Sequence, residues 1–169
     1  ITEESLKDCH YQASKDVLSM YYNLNPESDL LTGKGLLIGG SHQLNPMNEE
    51  AHYGDLSAVL FQNTPIWANW IRTPELAVAL MDEWETKIEA IAQNTIIEDV
   101  TSISGVPTWT LVLLKRILEI TGKETIQEIW PNLELFLHGG VSFTPYKEQF
   151  KKIIGKDITY LNIYNASEG

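Results

Sequence analysis

Residues 133–164, LELFLHGGVSFTPYKEQFKKIIGKDITYLNIY, contain two strand patterns separated by one short helix pattern. Residues 133–137 alternate as a strand does, and residues 158–164 form a second strand-like run. Between them, Pro145 stands in the first turn of a predicted helix that Gly155 ends. Because strands joined by a crossover helix pair in parallel, we expect both strands in one sheet, with their carboxyl ends at the same edge.

The preceding part of the chain continues this order. Residues 100–104 are predicted to form a strand, and Pro107 begins a helix that Gly122 ends. Residues 35–39, GLLIG, are apolar between glycines, a pattern typical of a buried strand. The order of strands and helices predicts an α/β layered fold with a mixed, largely parallel sheet flanked by helices.

Two more helices and one loop are predicted nearer the amino terminus. A helix over residues 3–22 is capped by Thr2 and would bury one apolar stripe: Leu6, Cys9, Ala13, Val17 and Met20. A helix over residues 73–93 is capped by Thr73, with Pro74 in its first turn. Residues 40–54 form a long polar loop, and loops of this length are often functional.

Length and composition limit the classes of protein. The chain has 169 residues, the size of one domain, and no apolar run reaches the roughly 18 residues that cross a bilayer. Its 23 acidic and 12 basic residues give a net charge of −11, which disfavours nucleic acid as a partner. The single cysteine, Cys9, cannot form an internal disulfide, so we expect a cytoplasmic protein. Because the chain begins at Ile1 without methionine and stops just after a strand, we expect residues 1–169 to be a partial domain of a larger protein.

The two last predicted strands both end in residues that suit nucleotide chemistry. Gly139 and Gly140 would let a ligand approach the backbone, and Tyr164 would offer a ring face to a flat base. Ser167 could donate a hydrogen bond to a phosphate, and Glu168 could bind Mg²⁺. Each segment alone also fits a structural role, as a turn or as a cap after a strand. Together they contain the groups needed to bind and activate ATP.

Five motifs, in order along the chain, resemble those of one family. Residues 164–168, YNASE, resemble the Tyr-Gly-x-Thr-Glu motif of adenylate-forming enzymes, and residues 138–142, HGGVS, resemble their glycine-rich adenine segment. Residues 31–34 (LTGK), 39–43 (GGSHQ) and 102–109 (SISGVPTW) precede them. This order resembles the acyl-acid amido synthetases of the auxin-responsive-promoter family, which join auxin or jasmonate to amino acids, and their bacterial relatives.

The resemblance implies a carbon–nitrogen ligase that uses ATP and Mg²⁺. ATP and a small carboxylic acid would give an acyl-adenylate and pyrophosphate, and an amine, usually that of an amino acid, would then displace AMP to form an amide. It also implies that this chain is a segment of the large amino-terminal domain. A phosphate loop would precede residue 1 and a mobile carboxyl-terminal domain would follow residue 169, so this segment alone is expected to be inactive.

The resemblance also assigns roles to residues. Ser167 and Glu168 would be catalytic, contacting the α-phosphate and Mg²⁺ respectively. Asn165 and Ser167 stand where the superfamily has glycine and threonine. The nucleotide-binding residues would be Gly139, Gly140, Val141, Tyr164, Asn165 and Ala166. The acyl pocket would include Val106, Thr108 and Trp109.

Three other functions stay open at this point. A thioester-forming acyl ligase shares the adenylation step. A non-catalytic binding module would use the same loops for a protein partner. A metal-dependent hydrolase would use the loop at residues 42–55, whose candidate ligands are His42, Glu49, His52 and Asp55.

Overall fold

Five parallel strands form the central sheet of the protein. The computed structural model describes residues 2–40, 45–46, 52–53 and 55–164, with side chains at 2–40 and 55–164. The strands of this sheet are β1 Lys34–Leu37, β4 Arg72–Thr73, β5 Val100–Gly105, β6 Leu135–His138 and β7 Thr159–Asn162. Two further strands, β2 Asn45–Pro46 and β3 His52–Tyr53, lie outside it. The sheet order is β4-β1-β5-β6-β7, and β2 pairs with β3 in a separate antiparallel ribbon. The predicted α/β fold with a largely parallel sheet is confirmed.

Helices cover both faces of the sheet. They are α1 Gln12–Leu24, α2 Leu56–Gln62, α3 Leu76–Ala79, α4 Trp84–Thr95, α5 Pro107–Thr121 and α6 Lys147–Ile154. Short 3₁₀ turns lie at Ile66–Trp70, Ile126–Glu128 and Thr144–Tyr146. None of the described helices is both long and apolar enough to span a membrane.

The main core lies between one face of the sheet and helices α4, α5 and α6. Ile91 of α4, Leu114 of α5 and Phe150 of α6 are fully buried there, against Ile103 and Phe136 of the sheet. Complete burial of each such side chain contributes about 1.5–3 kcal/mol relative to exposure. On the opposite face, a smaller cluster around α1 contains Tyr21, Leu30 and Leu135. The sheet is therefore the middle layer of the fold.

The last two strands pair as predicted. β6 and β7 are parallel neighbours, in a register that places Leu135 opposite Thr159 and His138 opposite Asn162. Helix α6 connects them and ends at Gly155, which has a φ of +85°. A left-handed residue at a helix end favours glycine, so the sequence signal and the structure agree.

The prediction of one helix over residues 73–93 is wrong. Thr73 belongs to the edge strand β4, and α3 stops at Ala79. A new helix, α4, starts after Glu83, whose carboxylate accepts hydrogen bonds from the backbone N–H groups of Glu85 and Thr86. Glu83 has an extended backbone and is the N-cap of α4. The apolar pattern of residues 73–93 therefore belongs to two helices, α3 before Glu83 and α4 after it.

The predicted buried stripe of the first helix is confirmed at Leu6 but wrong at Cys9, Ala13 and Met20. Residues Ser5–Tyr11 form a π-helix that leads into α1. The wider i→i+5 turn of a π-helix shifts the face that the following residues present to the core. Cys9, Ala13 and Met20 are exposed. The buried side chains of this segment are Leu6, His10 and Tyr21.

Candidate functional site

The carboxyl ends of four neighbouring strands lie along one edge of the sheet. Leu37 of β1 pairs with Ser104 of β5, and His138 of β6 pairs with both Gly105 and Asn162. Because all these strands are parallel, the segments that follow them leave the sheet side by side. In open parallel sheets, this edge is where ligands bind.

The glycine pair after β6 lies between the segments that follow β5 and β7. A Cβ atom on Gly139 would stand 2.5 Å from the carbonyl oxygen of Ile163, so no larger residue fits without moving backbone. Gly140 has a φ of +80°, and a Cβ atom there would be 3.3 Å from a methyl group of Val106. The backbone N–H of Ile163 donates to the carbonyl of His138 at 2.8 Å. The structure therefore confirms that the two predicted strands end together at one edge.

Two side chains beside the glycines are open to solvent. Tyr164 is 86% exposed and Val141 is 42% exposed. An open phenol ring, an open isopropyl group and two glycine peptides are groups that can contact the faces of a flat aromatic base. The binding of a nucleotide by these residues stays a prediction.

The remaining predicted nucleotide and catalytic residues lie outside the described residues. Asn165, Ala166, Ser167 and Glu168 all follow Tyr164, the last described residue. Their assigned roles at the phosphates and at Mg²⁺ therefore stay predictions.

The three residues predicted to line an acyl pocket lie at the start of α5 but point in different directions. Val106 is the N-cap of α5, in extended conformation, and contacts the position of Gly140. Thr108 is half-buried in the first turn. Trp109 packs on Trp84 of α4, with ring centroids 5.2 Å apart. Val106 is thus brought to the glycine pair, whereas Trp109 lies on the α4 side.

Lys87 is a buried residue at this edge that the sequence interpretation missed. Its side chain is 2% exposed, and its ammonium group donates to the carbonyls of Gly39 and Gly40 at 2.9 and 2.8 Å. Burial lowers the pKa of Lys87, and the nearby carboxylates of Asp55 and Asp82 act in the opposite direction. The lysine fixes the segment that follows β1. Its place within the apolar stripe of α4, between Trp84 and Ile91, is the sequence signal that could have found it.

His138, the last residue of β6, also has an unusual environment. It is 5% exposed, and its ring stacks on that of Phe143, with centroids 4.2 Å apart and planes at 24°. Burial lowers the pKa of His138, which favours the neutral imidazole. Among the described residues, Nδ1 of His138 has no hydrogen-bond partner. The histidine was predicted only as part of a motif, without a role of its own.

The alternative metal site receives no support from the described residues. Asp55, the one candidate ligand whose side chain is described, caps α2, and its carboxylate accepts from the N–H of Ala58 at 3.2 Å and from the hydroxyl of Ser57. Within residues 2–40 and 55–164, no three His, Cys, Asp or Glu side chains lie close enough together to hold a metal ion. His42, Glu49 and the His52 side chain lie outside the described set.

A separate open groove lies between α4 and α5, away from the strand ends. Trp84, Ile88 and Val112 are among its apolar lining residues. Its rim includes Arg116, which pairs with Glu89 at 2.7 Å and with Glu119 at 3.0 Å. Such exposed pairs contribute about 0–1 kcal/mol each. None of the charged side chains that line this groove is buried. The strand ends therefore remain the candidate site.

Comparison with known families gives one finding that covers most of the chain. A model of the GH3 family N-terminal domain matches residues 2–159. A comparison with curated proteins gave no match, and neither did a comparison with solved structures.

Proposed function

The chain belongs to the GH3 family, and we propose that the protein containing it is an ATP-dependent acyl-acid amido synthetase that joins a small carboxylic acid to an amino acid. Family membership indicates a ligase of this general type. The adenylation step, the use of Mg²⁺ and the formation of a carbon–nitrogen bond are parts of the proposal.

The observation that carries the proposal is the close approach of three chain segments at the carboxyl edge of the sheet. Gly139 and Gly140 lie between Val106 and Ile163, and Tyr164 is exposed directly beyond Ile163. The backbone N–H and C=O groups of a glycine turn can contact a base closely because no Cβ atom is in the way.

Each residue has a distinct role in the proposed site. Gly139, Gly140 and Val141 contact the adenine, and Tyr164 lies beside it. Val106, at the start of α5 and next to Gly140, lies between the adenine and the acid. Lys87 holds the segment after β1 through Gly39 and Gly40.

Ser167 and Glu168 complete the proposal, because they come five and six residues after the end of β7 in the sequence. The Ser167 hydroxyl donates to the α-phosphate. The Glu168 carboxylate would hold Mg²⁺, which would offset the repulsion between a carboxylate and a nearby phosphate. ATP, when bound, supplies the leaving group that activates the acid. The exposed thiol of Cys9 suits a reducing compartment, and the cytoplasm is the location we propose.

The proposal is tested by pyrophosphate exchange into ATP, measured in the full-length protein with a panel of carboxylic acids. We expect exchange that requires both Mg²⁺ and one class of acid. An absence of acid-dependent exchange across a panel of aryl, indolyl and aliphatic acids would contradict the adenylation step.

Product analysis then separates the two ligase reactions that share this step. The active acid is incubated with amino acids in one reaction and with coenzyme A in another. We expect the amide. A thioester with coenzyme A and no amide would establish the alternative acyl ligase.

A further inference from the structure

We propose that His138 is a positioning residue for the nucleotide, because its ring stacks on Phe143 and so fixes the path of residues 139–142. These four residues include the glycines and Val141 that contact the base in the proposed function, on which this inference rests. No other part of the proposed site requires a histidine at the end of β6.

The two rings close a short segment of chain at both ends. His138 is the last residue of β6, and Phe143 lies five positions later, just before the turn at Thr144–Tyr146. Their centroids are 4.2 Å apart with nearly parallel planes. The two side chains at the ends of residues 139–142 are therefore in contact, so these four residues form a tight turn between them. Gly140, with its φ of +80°, makes this reversal possible.

Phe143 is itself held from the other side. Its ring lies 5.0 Å from that of Tyr160 on β7 and 5.3 Å from that of Phe150 on α6. Phe136 of β6 also contacts it, at 5.8 Å. The position of Phe143 is thus fixed by β6, α6 and β7. Because Phe143 stacks on His138, the two ends of residues 139–142 are fixed as well.

The histidine serves as a ring rather than as a proton carrier. Its Nδ1 atom is buried without a partner among the described residues, and burial favours the neutral form. A neutral ring stacks on phenylalanine without the cost of a buried charge. His138→Phe should consequently keep the stack, whereas His138→Ala removes it.

The kinetic test compares four variants of the full-length protein. His138→Ala and Phe143→Leu should raise the KM for ATP by about three- to tenfold, the range expected for the loss of one aromatic pair, with a smaller change in kcat. His138→Phe should keep a KM near that of the wild type. Tyr21→Leu is the matched control, because it removes a buried ring from the cluster on the opposite face of the sheet, paired with Tyr22 at 6.3 Å and outside the ring cluster around Phe143.

Two kinetic results would overturn the inference. One is a KM for ATP that rises in proportion to the loss of thermal stability in all four variants, including Tyr21→Leu. The other is a His138→Phe variant that behaves like His138→Ala, since stacking would then not be the property that matters.

A second measurement separates this inference from the proposed function. Amide hydrogen exchange of the peptide covering residues 139–143 is followed without ATP. His138→Ala and Phe143→Leu should accelerate exchange there, and His138→Phe and Tyr21→Leu should not. Equal exchange in all four variants would refute the positioning role. If the wild type fails to bind ATP while the exchange pattern holds, the proposed function is wrong and the ring stack still fixes the segment.

Discussion

Replacing Gly139 with alanine tests the close approach between the backbone of Gly139 and that of Ile163, because it adds one carbon atom between them. The added Cβ atom would stand 2.5 Å from the carbonyl oxygen of Ile163, whereas ordinary contact begins near 3.4 Å. The two backbones must therefore separate by about 0.9 Å, the difference between these distances. Because the obstructing atom belongs to the backbone of the residue that follows β7, no side-chain rotation relieves the contact.

The expected cost follows from two losses and one gain. Separation weakens the 2.8 Å hydrogen bond from Ile163 N–H to His138 C=O, worth about 1 kcal/mol, and overpacking costs about 1–3 kcal/mol more. The lower entropy of unfolded alanine returns about 0.4–1 kcal/mol. We expect Gly139→Ala to reduce the free energy of unfolding by about 2 kcal/mol, and to displace Tyr164 from the glycine pair.

The assay is urea unfolding followed by circular dichroism, with Gly35→Ala as the matched control. A Cβ atom on Gly35 would meet the hydroxyl of Ser102 at 3.1 Å, a side chain that can move. The control should change stability by less than about 1 kcal/mol. If Gly139→Ala unfolds at the same urea concentration as the control, the reasoning from close backbone approach is refuted.

Three further predictions concern buried charge, a buried hydroxyl and the proposed metal ligand. Lys87→Met should lower stability by about 2 kcal/mol at neutral pH, because the carbonyls of Gly39 and Gly40 lose their donor. Since burial lowers the pKa of Lys87, the folded wild type loses this proton before the unfolded chain does, so its stability rises with pH toward 10.5. The difference in free energy of unfolding between wild type and Lys87→Met, measured with urea, should therefore grow over this range, and a difference that shrinks would contradict this. Tyr160→Phe should stabilise the chain by about 1 kcal/mol, because the hydroxyl has no partner among the described residues. Burial raises the pKa of Tyr160 to about 12, so thermal unfolding of the wild type, but not of the variant, should show stability falling between pH 10 and 12. In the full-length protein, Glu168→Gln should slow pyrophosphate exchange by ~10²-fold and weaken its Mg²⁺ dependence, with less effect on amide formation from preformed acyl-adenylate. An unchanged exchange rate would mean that Glu168 is only a cap after β7.

The parts of the fold predicted from sequence are those specified by local signals. Pro107 starts α5, and Gly122 and Gly155 end helices in the left-handed conformation. Each of these residues has a backbone preference that acts within a few positions, so the pattern alone is sufficient. The glycine pair after β6 was predicted in the same way, and with it the edge where β6 and β7 end.

The parts that were missed depend on contacts between distant residues or on a local exception. The place of β1 between β4 and β5 is set by pairing with residues 37 positions later in β4 (Gly35 with Arg72) and 66 positions later in β5 (Lys34 with Val100). Lys87 is buried because the carbonyls of Gly39 and Gly40 accept its hydrogen bonds, and those glycines lie on another element. The helix at residues 73–93 was predicted as one because its apolar period continues across Glu83, although Glu83 caps a new helix.

Photoaffinity labelling with an azido-adenine analogue of ATP tests the central claim most directly. The full-length protein is labelled with Mg²⁺ present, digested, and its labelled peptides are identified by mass spectrometry, with and without excess ATP. We expect labelling, suppressed by ATP, in peptides that contain residues 139–143 or Tyr164. Labelling confined to other parts of the chain, such as the groove between α4 and α5, would contradict it.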